Sequence, residues 1–129
     1  ILNKALRIQN INILFLLRFF IRHIYRQLIR RRCSTPIRVY RGQLMSTDEL
    51  NTLKHSIGEL ISINSFLSTT LDREIALSFL GGQSPSDDLQ RVLFEIDADP
   101  RVLGEYTVRP FADISAVGNF PDESEVLFM

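Results

Sequence analysis

At 129 residues the chain has room for one domain around a single core and not for two. A hydrophobic fraction of 45% and a charged fraction of 23% fit a globular protein and exclude the compositions of disordered or collagen-like chains. The lone cysteine, Cys33, excludes an internal disulfide framework, and with His23 and His55 standing apart no Cys/His cluster suggests zinc. The zero net charge is unevenly distributed: residues 1–47 hold ten Lys/Arg and no acid, whereas residues 48–129 hold five basic and fifteen acidic residues. Such asymmetry marks a nucleic-acid or membrane contact in some proteins. The plainer expectation is that the two halves face each other, or a neighbouring domain, and no nucleic-acid partner is expected.

Residues 2–32 show helical periodicity. Leu14, Leu17, Ile21, Ile24 and Leu28 recur every three or four residues and so share a face. Arg18, Arg22, Arg26 and Arg30 form an i,i+4 stripe on another face; stripes of this kind can lie on membranes or bind partners, but most are solvated helix sides. Phe15, Phe19 and Phe20 widen the apolar face, which predicts packing against the domain. The apolar stretch 11–21 is short for a membrane span and is interrupted by Arg18, and no small-residue cleavage site follows it. A first residue Ile1 rather than Met, and a last residue Met129 inside an apolar run, suggest a piece of a longer protein whose compartment stays open.

Pro36 breaks the helix. Ile37–Arg41 alternates as a strand and is expected to end at Gly42. Ser46-Thr47-Asp48-Glu49 matches a capping box for a helix running to about His55. Leu60 to Leu67 is expected to be a second strand with a bend near Ser62–Ser65, and Asp72 to cap a helix over Arg73–Leu80. A polar loop follows, then strands at Arg91–Ile96 and Val102–Val108, and apolar runs at Ile114–Val117 and Glu125–Phe128. Helices first, then short strands with helices inserted, predict an α+β fold. Residues 1–35 form a basic helical segment and residues 36–129 the mixed β core.

Three elements stand out: Tyr40-Arg41-Gly42, Ser65-Phe66-Leu67-Ser68-Thr69-Thr70, and Glu123-Ser124-Glu125-Val126-Leu127. Each alone is ordinary: a solvated arginine, a Ser/Thr turn, a surface acidic pair. In this order and spacing the chain resembles the arginine-specific mono-ADP-ribosyltransferases, whose pattern is Arg, then Ser-Thr-Ser, then Glu-x-Glu. The likeness runs from about Ile37 to Phe128, with Thr70 in place of the usual second serine. It implies NAD as co-substrate without a metal, transfer of ADP-ribose to a protein presenting an arginine, and NAD contacts from Arg41, Gly42, Ser68 and Thr69. It also implies that Glu125 takes the ribose 2′-hydroxyl and is oriented by Ser68, and that Glu123 accompanies arginine specificity, with Phe120 in the preceding turn helping to recognise the target.

Elementary chemistry is compatible with those roles. A planar guanidinium pairs two phosphate oxygens at once, which makes Arg41 the expected diphosphate anchor. Gly42 permits close approach of the backbone to a flat ligand. Cleaving the nicotinamide–ribose bond builds oxocarbenium-like charge, which a fixed carboxylate such as Glu125 stabilises. An acceptor guanidinium is protonated and a poor nucleophile, so a second carboxylate, Glu123, is needed to bind it and remove a proton. Residues two apart on an extended segment point to one side, which would put both glutamates in one cleft.

Two alternatives stay open: an NAD glycohydrolase, with water as acceptor, and a non-catalytic interaction module using the basic helix. Related domains continue with at least one more strand beside that of Glu125, so the resemblance predicts an incomplete C-terminus, with an exposed strand edge or an incomplete core.

Overall fold

The computed structural model describes residues 2–81, 88–102, 110–116 and 124–129. It is an α+β fold. Two helices lead, α1 (Leu2–Arg7) and α2 (Ile11–Arg30), followed by β1 (Ile37–Ser46), α3 (Thr47–His55), β2 (Leu67–Thr70), α4 (Arg73–Gly81), β3 (Leu89–Ala98), β4 (Phe111–Asp113) and β5 (Glu125–Phe128). The strands form an antiparallel sheet in the order β3-β1-β2-β5-β4.

The helical periodicity over 2–32 is carried by two helices, α1 and α2. Gln9 adopts a left-handed φ of 51°, and the Asn10 side chain caps α2 by accepting the Ile13 N–H at 3.1 Å. The stripe from Leu14 to Leu28 does face inward, and Leu28 is buried against Phe66 and Ala112. Phe15, Phe19 and Phe20 do not pack as expected; they are 61%, 67% and 55% exposed. They lie round the helix from the Leu14–Leu28 stripe, so their apolar character does not place them in the core.

β1 continues through Gly42 to Ser46 and pairs with β3 over its whole length, from Ile37↔Ala98 to Ser46↔Leu89. The capping box is present as expected: Ser46 Oγ accepts the Glu49 N–H, and the Glu49 carboxylate accepts the Ser46 N–H at 3.0 Å. The strand expected over Leu60–Leu67 is absent before Leu67. Instead the amide of Asn3 spans Phe66, with Nδ2 donating to its carbonyl at 3.2 Å and Oδ1 accepting its N–H at 3.1 Å. A side chain from α1 thus satisfies the backbone that a neighbouring strand would otherwise pair.

Expected Arg91–Ile96 is the interior of the longer β3, and Asp72 does cap α4 by accepting the Glu74 N–H at 2.8 Å. Just before the apolar run that starts at Ile114, β4 occupies Phe111–Asp113 and stops where Asp113 Oδ1 accepts the Ser115 N–H at 2.9 Å. Most of Val102–Val108 falls outside the described residues. An exposed edge is not found on the Glu125 strand, because β5 lies between β2 and β4 and is paired on both sides.

Register and the two-residue strand period assign the faces. Val39, Ala98, Phe111 and Val126 form a core on one face, where Phe111 and Phe128 stack at 5.0 Å between ring centroids. The other face carries Leu127 and Ala112, covered by α2 through Leu28, and Gly42, covered by α4. The basic segment is therefore part of this fold: Cys33 N–H also donates to the Phe111 carbonyl at 2.9 Å.

Candidate functional site

β1 and β2 meet in register at one position, Tyr40↔Thr70. Beside this junction lies a cleft of about 360 Å³, bordered by Arg41, Gly42, Ser68, Thr70, Phe79 and Glu125 among others. The β2–β5 register Thr70↔Glu125 and Ser68↔Leu127 puts Ser68, Thr70 and Glu125 on one face, with Ser68 and Glu125 diagonal neighbours. The Ser68 hydroxyl donates to Glu125 Oε1 at 2.5 Å, in the range of a charge-assisted O–H···O contact.

Arg41 completes a chain of contacts. Its Nη1 donates to the Ser68 carbonyl at 2.6 Å and its Nε to Gln43 Oε1 at 2.9 Å. One residue, Ser68, is thus held by Arg41 at its backbone and holds Glu125 with its side chain. Burial, and secondarily the positive charge of Arg7, lower the Arg41 pKa from its ordinary value. The guanidinium still carries its charge at neutral pH.

Gly42 borders the cleft, but the space a side chain would need is taken by helix α4: an added Cβ would stand 2.1 Å from the Ala76 carbonyl oxygen and 3.0 Å from Leu80 Cγ. Close backbone approach is required here, and the backbone that approaches belongs to α4. Thr69 borders the cleft too, yet it is buried and its hydroxyl donates to the Val126 carbonyl at 2.8 Å, tying β2 to β5. Thr70, where the usual pattern has serine, is buried, and its hydroxyl accepts the Asp72 N–H at 3.0 Å at the entrance to α4.

Glu123 and Phe120 lie outside the described residues. Ser124 is not extended, having a left-handed φ of 47°, and β5 begins at Glu125. Alternation across a strand therefore says nothing about where Glu123 points.

Gln43 and the α4 residues Ile75 and Phe79 join the site without belonging to any of the three sequence elements. Gln43 carried one signal, its position two residues beyond Arg41 on the same strand face. Ile75 and Phe79 carried another, an i,i+4 pair on a short helix after the Ser/Thr run.

No group of His, Cys, Asp and Glu fit to hold a metal occurs among the described residues. No helix among them is long and apolar enough to cross a membrane. No protein-family model, curated protein or solved structure matches this chain.

Proposed function

We propose that the cleft binds NAD and that the protein transfers ADP-ribose from NAD to the guanidinium of an arginine on another protein, releasing nicotinamide. The observation that supports this most is the Arg41–Ser68–Glu125 chain of contacts, in which a cation and an oriented carboxylate border one cleft. Small-molecule sites fall at roughly 300–1,000 Å³, and this cleft lies at the low end, suited to the nicotinamide–ribose half of the dinucleotide.

In this reading Arg41 offers its remaining N–H donors to the diphosphate. The bond between ribose C1′ and the nicotinamide nitrogen breaks, and its electron pair neutralises the pyridinium, so no acid is needed for departure. Positive charge develops on C1′ and the ring oxygen. Glu125, fixed by Ser68 before the substrate reacts, stabilises that charge without reorganising. A nitrogen of the acceptor guanidine then bonds to C1′ and gives up a proton, for which Glu123 is the proposed acceptor. Phe120 is proposed to contact the same acceptor.

The test is nicotinamide release from NAD by the whole chain, with and without agmatine as an arginine mimic. Release accelerated by agmatine, with ADP-ribosylagmatine as product, is the expected result. Release indifferent to agmatine would make the protein an NAD glycohydrolase, and no calorimetric binding of NAD would remove the reading altogether.

A further inference from the structure

The outward side of α2 changes character along its length. Its first half exposes Ile11, Phe15, Leu16 and Phe19, at 80%, 61%, 74% and 67%. Its second half exposes Arg22, Arg26 and Arg30, which at about 100° per residue lie on the same outward stripe. Arg18 sits at the join, with its guanidinium 4.0 Å from the Phe15 ring centroid and 4.2 Å from that of Phe19.

None of the α2 arginines is in an ion pair among the described residues. Of the ten cations in residues 1–47, only Arg38 is paired there with acids of the acidic half, Glu95 and Asp97. Among the described residues, then, the halves do not neutralise each other through α2, and Arg22, Arg26 and Arg30 are exposed. Solvated helix sides carry charge, but they do not also present two phenylalanines and two aliphatic residues in a row.

We infer that the outward face of α2 docks on an anionic lipid surface, with Phe15, Leu16 and Phe19 entering the acyl boundary and the arginines resting on headgroup phosphates. A helix presenting Phe and Leu together with arginine has the composition of interfacial helices. The guanidinium stacked on two rings, with Nη1 donating to the Phe15 carbonyl at 2.6 Å, suits that boundary, since its stem and ring partners are apolar while its remaining N–H donors can bond phosphate. Charge complementarity decides among occupants. A second copy meeting this face symmetrically would bring two acid-free basic surfaces together, which repel.

The test is co-sedimentation of the whole chain with phosphatidylcholine vesicles, with and without phosphatidylserine. Binding is expected with phosphatidylserine only, and weaker as salt rises. Each change of Arg22, Arg26 or Arg30 to Gln is expected to lower the partition coefficient roughly fivefold. The double substitution Phe15→Ser and Phe19→Ser is expected to abolish binding while leaving the helical circular dichroism unchanged, because both side chains are exposed. Equal binding to both vesicle types, binding unchanged by these substitutions, or concentration-dependent self-association with no vesicle binding would each overturn the inference. So would capture by an acidic helix-binding protein with the vesicles ignored.

Discussion

Ser68 and Glu125 stand diagonally across β2 and β5, and the hydroxyl of one donates to the carboxylate of the other at 2.5 Å. Both strands are interior to the sheet, and the β2–β5 ladder from Leu67↔Phe128 to Thr70↔Glu125 holds the pair in place. A carboxylate fixed in this way has fewer orientations to lose when charge develops beside it.

From that contact a graded pair of losses follows. Glu125→Gln keeps the shape and removes the charge, and is expected to cost roughly 10²–10³-fold or more in nicotinamide release. Ser68→Ala leaves the charge but frees its orientation, with an expected loss of roughly 10–100-fold, the worth of one hydrogen bond to a charged group. Initial rates of nicotinamide release measure both. A Ser68→Ala enzyme as impaired as Glu125→Gln would mean that serine does more than orient.

For Glu123 the expectation is selective. Glu123→Gln should reduce transfer to agmatine far more than hydrolysis of NAD, since the glutamate is assigned to the acceptor and not to the bond that breaks. Product analysis of paired reactions separates the two. Equal loss of transfer and hydrolysis would contradict the division.

How much of this was legible in the sequence depends on the range of the interactions involved. The capping box at Ser46 and the Asp72 cap are local, written within three residues, and each forms as read. The segment before Leu67 looked like a strand because its neighbours in sequence are apolar, yet its backbone is taken by Asn3, 63 positions away. Phe15, Phe19 and Phe20 read as core by residue type, and only the packing of the whole domain decides that the Leu28 stripe fills it. At the site, Arg41, Ser68 and Glu125 stand out by order and spacing alone. Gln43 as the partner of Arg41, and α4 as the reason for Gly42, needed three dimensions.

Gly42 offers a test of that last point. An alanine there would place its Cβ 2.1 Å from the Ala76 carbonyl oxygen, a clash with backbone that no rotamer relieves. Either α4 moves off the sheet or β1 bends, and both disturb the cleft that α4 borders. Gly42→Ala is expected to destabilise by about 1–3 kcal/mol, read as a lower urea midpoint, and to weaken NAD binding with it. Loss of NAD binding at unchanged stability would instead assign the glycine to the ligand.

Leu28 and Phe19 ask whether the basic helical segment is integral to the core. They share α2, but Leu28 is 2% exposed against Phe66 and Ala112, whereas Phe19 is 67% exposed. Leu28→Ala removes buried methyl groups at the joint between α2 and β4, with an expected cost of about 2–5 kcal/mol. Phe19→Ala should stay within about 0.5 kcal/mol, as surface changes do. Urea denaturation of both variants, followed by circular dichroism and by intrinsic tyrosine fluorescence, measures the difference. Circular dichroism follows chiefly the helices, whereas the fluorescence sums three tyrosines, among them Tyr40 on β1 and Tyr25 on α2, so a shared transition for the two probes is expected if helix and sheet unfold as one unit. A small Leu28→Ala effect, or a separate early loss of helix, would make α2 an appendage resting on the sheet.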